Sequence, residues 1–328
     1  MRISDLGELA LTEKIRTYFS IEDSHIIVPL GDDAAVFRSE KEDSVVTTDL
    51  MAEGVHFDYV YTTFYQVGFK LITSNVSDIY AMGGVPSYAF LNIAMNNGRS
   101  EGDFDDFLDG VKEACGIYNV NVLGGDISSS PTSDFYSATL IGYAKRPVLR
   151  SGARTGDKVL VTGSLGDAAA GLAYMKSLNR SIAFERGEGL PAEDVSEGVV
   201  SSVRRHLLPV AGSPVKFVDT VSSMIDVSDG LLIDLFRLCS ESGKGVLLYK
   251  DRIPVSEGVK KIASMLKLDH MDLALSGGED YVLLVTSEDE RIDDCFFIGE
   301  ITDEGFYMID SLGNKEEPEP KGYTHFKG

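Results

Sequence analysis

Short acid-bearing segments recur along this chain, and they restrict its chemistry more than any other feature. They are Gly31-Asp32-Asp33, Thr47-Thr48-Asp49, Asn75 with Asp78, Gly124-Gly125-Asp126, Asp226-Val227-Ser228-Asp229-Gly230 and Ser276-Gly277-Gly278-Glu279-Asp280. Glycine lets the backbone approach a ligand closely and adopt positive φ. A carboxylate at a strand end projects from a rigid sheet edge into a crevice. Hard cations such as Mg²⁺ take such oxygens, usually one or two carboxylates with phosphates and waters. Asn75 and Asp78 are three residues apart, so a helix presents both on one face. Each segment alone is weak. Gly-Asp-Asp is more often a turn, Asp126 could simply end a strand, and Asp78 could face solvent. Asp229-Gly230 could cap a helix or make a turn. Their recurrence together points to divalent-cation and phosphate chemistry.

Composition narrows the class. The 328 residues suit about two domains at roughly 150 residues each. A net charge of −22, from 30 basic against 52 acidic residues, argues against a nucleic-acid or anionic-membrane binder. It leaves room for anionic small molecules whose charge divalent cations offset. No apolar run is long enough to span a bilayer, and the N-terminus (Arg2, Asp5, Glu8, Glu13, Lys14) has no secretory core. Cys115, Cys239 and Cys295 are far apart, which suits small core residues in a reducing cytoplasm. The HExxH and GxxxxGK[ST] patterns are absent, so nucleotides would be held by another design.

Helices and strands alternate irregularly, which predicts an α+β chain. Helices are expected over 5–19, 64–82 (stopped by Gly83-Gly84) and along the amphipathic run Phe104, Phe107, Leu108, Val111, Cys115, Tyr118. Strands are expected over 44–48, ending in Asp49, over 120–123, ending in Gly124-Gly125-Asp126, and over 134–144. The basic, turn-rich stretch 145–157 marks a boundary, dividing the chain into 1–147 and 148–328. The second part opens with a strand over 158–162 and the turn Gly163 to Gly166. That turn could cradle phosphate at a helix N-terminus, although a plain strand–helix turn is the commoner use. A helix to Leu178, a polar loop over 179–197, strands over 224–227, 283–286 and 296–298, and a helix over 231–239 follow.

In order, GDDAAVF from Gly31, TTDLMAEGVHF from Thr47, NVSDIYAMGGVP from Asn75 and LGGDIS from Leu123 resemble the thiamine-monophosphate kinase family. RSGARTGDKVLVTGSLGDAAAGL from Arg150, IDVSDGLLIDL from Ile225, ALSGGEDY from Ala274 and the final GYTHF continue the likeness. This family belongs to the superfamily that includes aminoimidazole ribonucleotide synthetase. The resemblance implies two α/β domains of that type: an N-terminal ATP- and Mg²⁺-binding domain that dimerises through its strands, and a C-terminal domain that closes the cleft. It further implies ATP-dependent phosphorylation of thiamine phosphate to thiamine diphosphate, the final step of thiamine diphosphate biosynthesis, by a cytoplasmic homodimer.

Carried over by motif, Asp33, Thr47, Thr48, Asp49, Asp78, Asp126, Asp226 and Asp229 match Mg²⁺ ligands. Gly125, Asp126, Arg150 and Ser228 match ATP contacts, and His56 and Glu279 match contacts to thiamine phosphate. An aromatic near the end, often Trp in the family, packs on the substrate; Tyr323 and Pro320 stand there in this chain. Two departures put no ligand in doubt, since Thr47 keeps a hydroxyl. The family often has Ser at the position of Thr47, and it tends to read Arg-Pro within the stretch Val203 to Pro209. No covalent nucleophile is called for. A selenophosphate synthetase would carry a reactive Cys near the N-terminus, whereas the first here is Cys115. A related hydrogenase maturation protein ends in a modified Cys, whereas this sequence ends His325-Phe326-Lys327-Gly328. Against a non-catalytic cation- or nucleotide-binding regulator stand His56, Arg150 and Glu279, none of which a bare cation site needs.

Overall fold

A computed structural model describes residues 26–28, 35–38, 43–184 and 189–326. The expected helix over 5–19 and the candidate ligand Asp33 lie outside the described residues. The first half is built on a six-stranded sheet of β1 (Ile26–Val28), β2 (Ala35–Arg38), β3 (Asp43–Ala52), β4 (Val85–Asn96), β5 (Asn121–Ser130) and β6 (Phe135–Ala144). Its spatial order is β1-β2-β3-β6-β4-β5, antiparallel except for the parallel β4–β5 pair. A parallel pair needs a crossover connection. Helix α2 (Glu101–Tyr118) supplies it, entered through a Ser100/Asp103 capping box.

Helix α1 (Phe64–Ala81) is the rod on which the site is hung. A capping box between Thr63 and Gln66 starts it, and nearly all of its residues are buried, Lys70, Thr73, Asn75 and Ser77 among them. Helix burial on every side requires partners on every side. Here α2, β3 and β6 flank it within the first half, and β10 (Ser223–Asp226) meets it from the second.

The second sheet runs β10-β12-β7-β13-β11-β14-β15, with β7 (Lys158–Val161), β11 (Gly245–Tyr249), β12 (Leu283–Ser287), β13 (Phe296–Thr302), β14 (Phe306–Ile309) and β15 (Lys315–Glu316), while β8 (Ile182–Ala183) and β9 (Leu190–Pro191) pair only with each other. Period-two alternation sends Leu160, Leu283 and Val285 to one face, with helices α3 (Asp167–Leu178), α4 (Glu197–Leu207) and α6 (Glu257–Leu266). Val159, Val161 and Leu284 go to the other, with α5 (Leu231–Ser242) and α7 (His270–Ser276). The first of these cores is continuous with that of the six-stranded sheet. No helix among the described residues is long and apolar enough to cross a membrane.

Two expectations need correction. The β3 strand does not end at Asp49 but runs to Ala52, and β5 does not stop at Gly124-Gly125-Asp126 but continues to Ser130. Glycine punctuates a strand only when nothing pairs with it. Here β3 pairs with β6 through Asp49 opposite Ala138, and β5 pairs with β4 through Gly125 and Asp126 opposite Leu91 and Asn92.

Candidate active site

Asp49, Asp78, Asp226 and Asp229 act on one another's charge where β3, α1 and the end of β10 meet. Strand alternation turns Thr47 and Asp49 toward α1. The Thr47 hydroxyl donates to Asp78 Oδ2 at 2.6 Å, and the Asp49 amide donates to Asn75 Oδ1 at 3.1 Å. One turn of α1 thus fixes both β3 residues, as the Asn75/Asp78 spacing anticipated. From the second half, Asp226 accepts from the Ser77 hydroxyl at 2.6 Å through Oδ2, while its Oδ1 is buried with no hydrogen-bond partner among the described residues. Burial raises the Asp226 carboxyl to about 6. Ser77 and the Arg150 cation pull it down, while Asp49 and Asp229 push it up. Asp78 is raised well above the carboxylate range, first by burial and then by Asp49 and Asp226. Asp49 is raised by burial against the Ser74 hydroxyl.

Like charges kept this close in a low dielectric are costly unless protons or cations offset them. The orphaned Asp226 oxygen and the crowding of four acids suit a hard divalent cation. Among the described residues no group of three His, Cys, Asp or Glu side chains forms a ready metal cage. The donor chemistry, buried carboxylates beside an unpartnered oxygen, is of the kind Mg²⁺ takes when one or two carboxylates leave most positions to phosphate and water.

Other candidate residues distribute unevenly. Asp229 lies in the loop before α5, paired with Arg237 Nη1 at 2.5 Å, and Asp234 Oδ2 accepts the Asp229 and Gly230 amides at 3.0 and 3.1 Å. Arg150 sits in a 3₁₀ turn between the two sheets, its carbonyl accepting from the Ser242 hydroxyl. Thr48 points away from the cluster, as strand alternation dictates; its hydroxyl donates to the Ala138 carbonyl at 3.0 Å. Asp126 is exposed on β5, three strands from β3 in the sheet order, with its carboxylate on the Ile127 amide. The turn Gly163 to Gly166 is a plain strand–helix turn. Asp280 accepts the Gly166 and Ala168 amides at 2.6 and 2.9 Å, so a carboxylate already fills the N-terminus of α3.

A wall of mixed charge gathers around His56 and Glu279. His56 Nδ1 accepts the Ala52 amide at 3.0 Å, which leaves the proton on Nε2. Burial and the neighbouring His325 lower its pKa, so it is a neutral donor. The chain end returns to this point. The Tyr323 amide donates to the Asp229 carbonyl at 2.9 Å, Tyr323 meets the His325 ring edge-on at 4.9 Å, and His325 lies 5.2 Å from the His56 ring. Glu279 faces the same region from the loop after α7. Its backbone is left-handed (φ +66°), and its amide donates to the Ser228 carbonyl at 2.7 Å. A Cβ at Gly278 would stand 2.5 Å from that same carbonyl, so only glycine allows the two loops to meet. Lys70, His206, Asp234, Arg237 and His325 escaped the sequence reading. Sequence spacing carries no signal for contacts such as Lys70 with Glu279, 209 positions apart.

Residues 31–144 match the AIR synthase related protein N-terminal domain, and residues 154–310 match its C-terminal domain. The chain is 34% identical to the thiamine-monophosphate kinase of Aquifex aeolicus, covering 99% of this chain and all of that protein. It is 30% identical to the thiamine-monophosphate kinase of Pyrococcus abyssi over 91% of each. Its fold superposes on the solved structure of AaThiL complexed with AMPPCP and TMP with a TM-score of 0.84 at 33% identity, covering 99% of both chains. By fold, by full-length similarity and by the match of both domain models, the chain belongs to the thiamine-monophosphate kinase family of AIR synthase related proteins.

Proposed function

We propose that the chain uses ATP to phosphorylate thiamine phosphate to thiamine diphosphate by direct in-line transfer. One observation carries the reading: four carboxylates act on one another around the unpartnered Asp226 oxygen, with Arg150 as a cationic neighbour of Asp226 and the His56/Glu279 wall as a second, separate set of polar groups. A regulator that only bound a cation would have no use for that wall. The similar AaThiL structure, complexed with AMPPCP and TMP, supports the same pair of ligands here.

Phosphoryl transfer asks a protein for alignment and charge neutralisation more than for covalent chemistry. Asp49, Asp78, Asp226 and Asp229 would hold Mg²⁺, with Thr47 and Asn75 fixing their geometry; Asp33, Thr48 and Asp126 are further candidate ligands. These residues would hold Mg²⁺, whose positive charge would offset both the phosphates and the carboxylates. Arg150, with Gly125, Asp126 and Ser228, serves the ATP side, and a guanidinium can meet phosphate oxygens bidentately. His56 donates from Nε2 to the acceptor phosphate. Glu279 and Tyr323 border the thiamine moiety. The acceptor monoester is already a nucleophile near neutral pH, so no strong general base is needed. Burial pushes the thiols of Cys115 and Cys239 up to about 11 and about 12, which makes them inert core residues and suits a reducing cytoplasm.

ADP release with Mg²⁺ and ATP tests this reading. It is expected to depend on thiamine phosphate, and a rate independent of thiamine phosphate, or no release at all, would reject it. The two sides of the cleft separate in kinetics. Glu279→Gln is expected to raise the KM for thiamine phosphate while leaving that for ATP within about threefold, under 1 kcal/mol. Arg150→Ala is expected to do the reverse. If Glu279→Gln weakens ATP binding instead, the two sides have been exchanged.

The assembly we propose is a homodimer through the strands of the first sheet, with the chain divided at 147/148. Leu50, Phe90 and Phe135 are exposed on one face of the sheet, and Val122 and Ile127 are exposed on the other along the open β5 edge, Ile127 69% so. An apolar face and an open β5 edge of this kind ordinarily mark an interface. By register Asp126 shares the face of Leu50, Phe90 and Phe135, so covering that face would also enclose this candidate ligand. Light scattering at micromolar concentration is expected to give a dimer and Ile127→Asp a monomer; a monomeric wild type would reject the assembly.

A further inference from the structure

Lys70 is a lysine inside the protein, 5% exposed on the all-round-buried helix α1. Its ammonium reaches Glu279 Oε2 at 2.7 Å, joining the first half of the chain to the loop before β12. His206 Nδ1, from α4, lies 3.0 Å from the same oxygen. Burial works to raise the Glu279 carboxyl, yet Lys70 and His206 overcome it and hold the group ionised, well below the usual range. Burial and the Lys70 cation keep His206 itself neutral. The backbone is fixed as well, by the Glu279 amide on the Ser228 carbonyl. No described hydrogen bond occupies Oε1, and the side chain is 28% exposed.

A carboxylate with an ammonium at 2.7 Å has little net charge left for a second cation, and any cation placed beside it would also face Lys70. A neutral N–H donor meets no such repulsion, and a charge-polarised acceptor bonds it well. Resting on the proposed function, we infer that Lys70 is a positioning residue that pins Glu279 across the two halves of the chain, so that Oε1 accepts a hydrogen bond from the amino group of the aminopyrimidine ring and does not pair with the thiazolium. Specificity of this kind is strong because an analogue without the donor leaves a buried acceptor unpaired.

The probe is thiamine phosphate whose pyrimidine amino group is replaced by hydrogen. Wild type is expected to favour the amino substrate at least tenfold in kcat/KM, about 1.4 kcal/mol. Lys70→Arg should keep that ratio within about threefold, because a guanidinium can still hold Oε2. Lys70→Met should drop it below about threefold, with the KM for ATP little changed. Removing one partner of a buried pair can unfold a protein, whereas an apolar replacement of both is often tolerated. The double variant Lys70→Met with Glu279→Met therefore stands beside the single one and should show the same collapse. A packing defect would lower both substrates alike and leave the ratio intact. Retention of the tenfold ratio in either Met variant overturns the inference. So does a wild type that turns over both substrates equally, whereas a wild type that makes no thiamine diphosphate overturns the proposed function itself.

Discussion

Asp226→Asn is expected to lose at least about 100-fold in turnover while melting a few degrees higher than wild type in metal-free buffer. Changes one shell away from a metal ligand already cost roughly 10- to 100-fold, so loss of an anionic ligand should cost at least the upper figure. The gain in stability has a separate cause. Asp226 is fully buried, Asp49 and Asp229 push against it, and one of its oxygens has no partner. Neutralising it relieves that repulsion while an amide oxygen can still accept from Ser77. A relief of about 1 kcal/mol corresponds to roughly 2–4 °C for a domain of this size. Activity and stability moving in opposite directions is the mark of a site whose strain serves function. Wild-type-like turnover at limiting Mg²⁺ would contradict the metal assignment. Unchanged turnover with a lower melting temperature would make the cluster merely structural.

Gly125→Ala is expected to destabilise the chain by several kcal/mol, among the larger effects of a single substitution. At φ +147° the residue lies outside the region open to side chains, and a Cβ there would stand 1.6 Å from the Leu91 carbonyl oxygen on the neighbouring strand. The methyl cannot be accommodated without parting β5 from β4. Its neighbour is an internal control. A Cβ at Gly124 meets only the Phe90 ring, at 3.5 Å, which is ordinary contact. Gly124→Ala should therefore change denaturant stability by no more than about 1 kcal/mol, the usual helix-or-strand glycine scale. Equal melting of the two variants would show that the close approach of β5 to β4 is not needed for the fold.

These contrasts show what local sequence carries and what it does not. The Asn75/Asp78 spacing was legible because a helix repeats every 3.6 residues and both partners lie in one segment. The amphipathic run from Phe104 to Tyr118 was legible for the same reason. Strand ends were misjudged at Asp49 and Gly125 because a strand stops where its partner stops, and β6 and β4 lie elsewhere in the sequence. The polarity of Thr47 and Thr48 looked alike in sequence, yet alternation aims one at Asp78 and the other at the Ala138 carbonyl. Glu279 stood out beside its glycines, whereas Lys70 resembled any helix lysine. Only tertiary packing makes α1 buried on every side and turns Lys70 into the counter-charge of Glu279. Asp280 looked like part of the reactive segment; it serves instead to seal the start of α3.

A single-turnover reaction of the wild-type protein with Mg²⁺, thiamine phosphate and ATP labelled at the γ-phosphate tests the central claim most directly. The label should pass from ATP to thiamine diphosphate in one phase, one for one with ADP, with none retained on the protein at any time. Label accumulating on the protein before thiamine diphosphate appears, or released as free phosphate without it, would contradict direct transfer between two phosphates held by this cluster of acids.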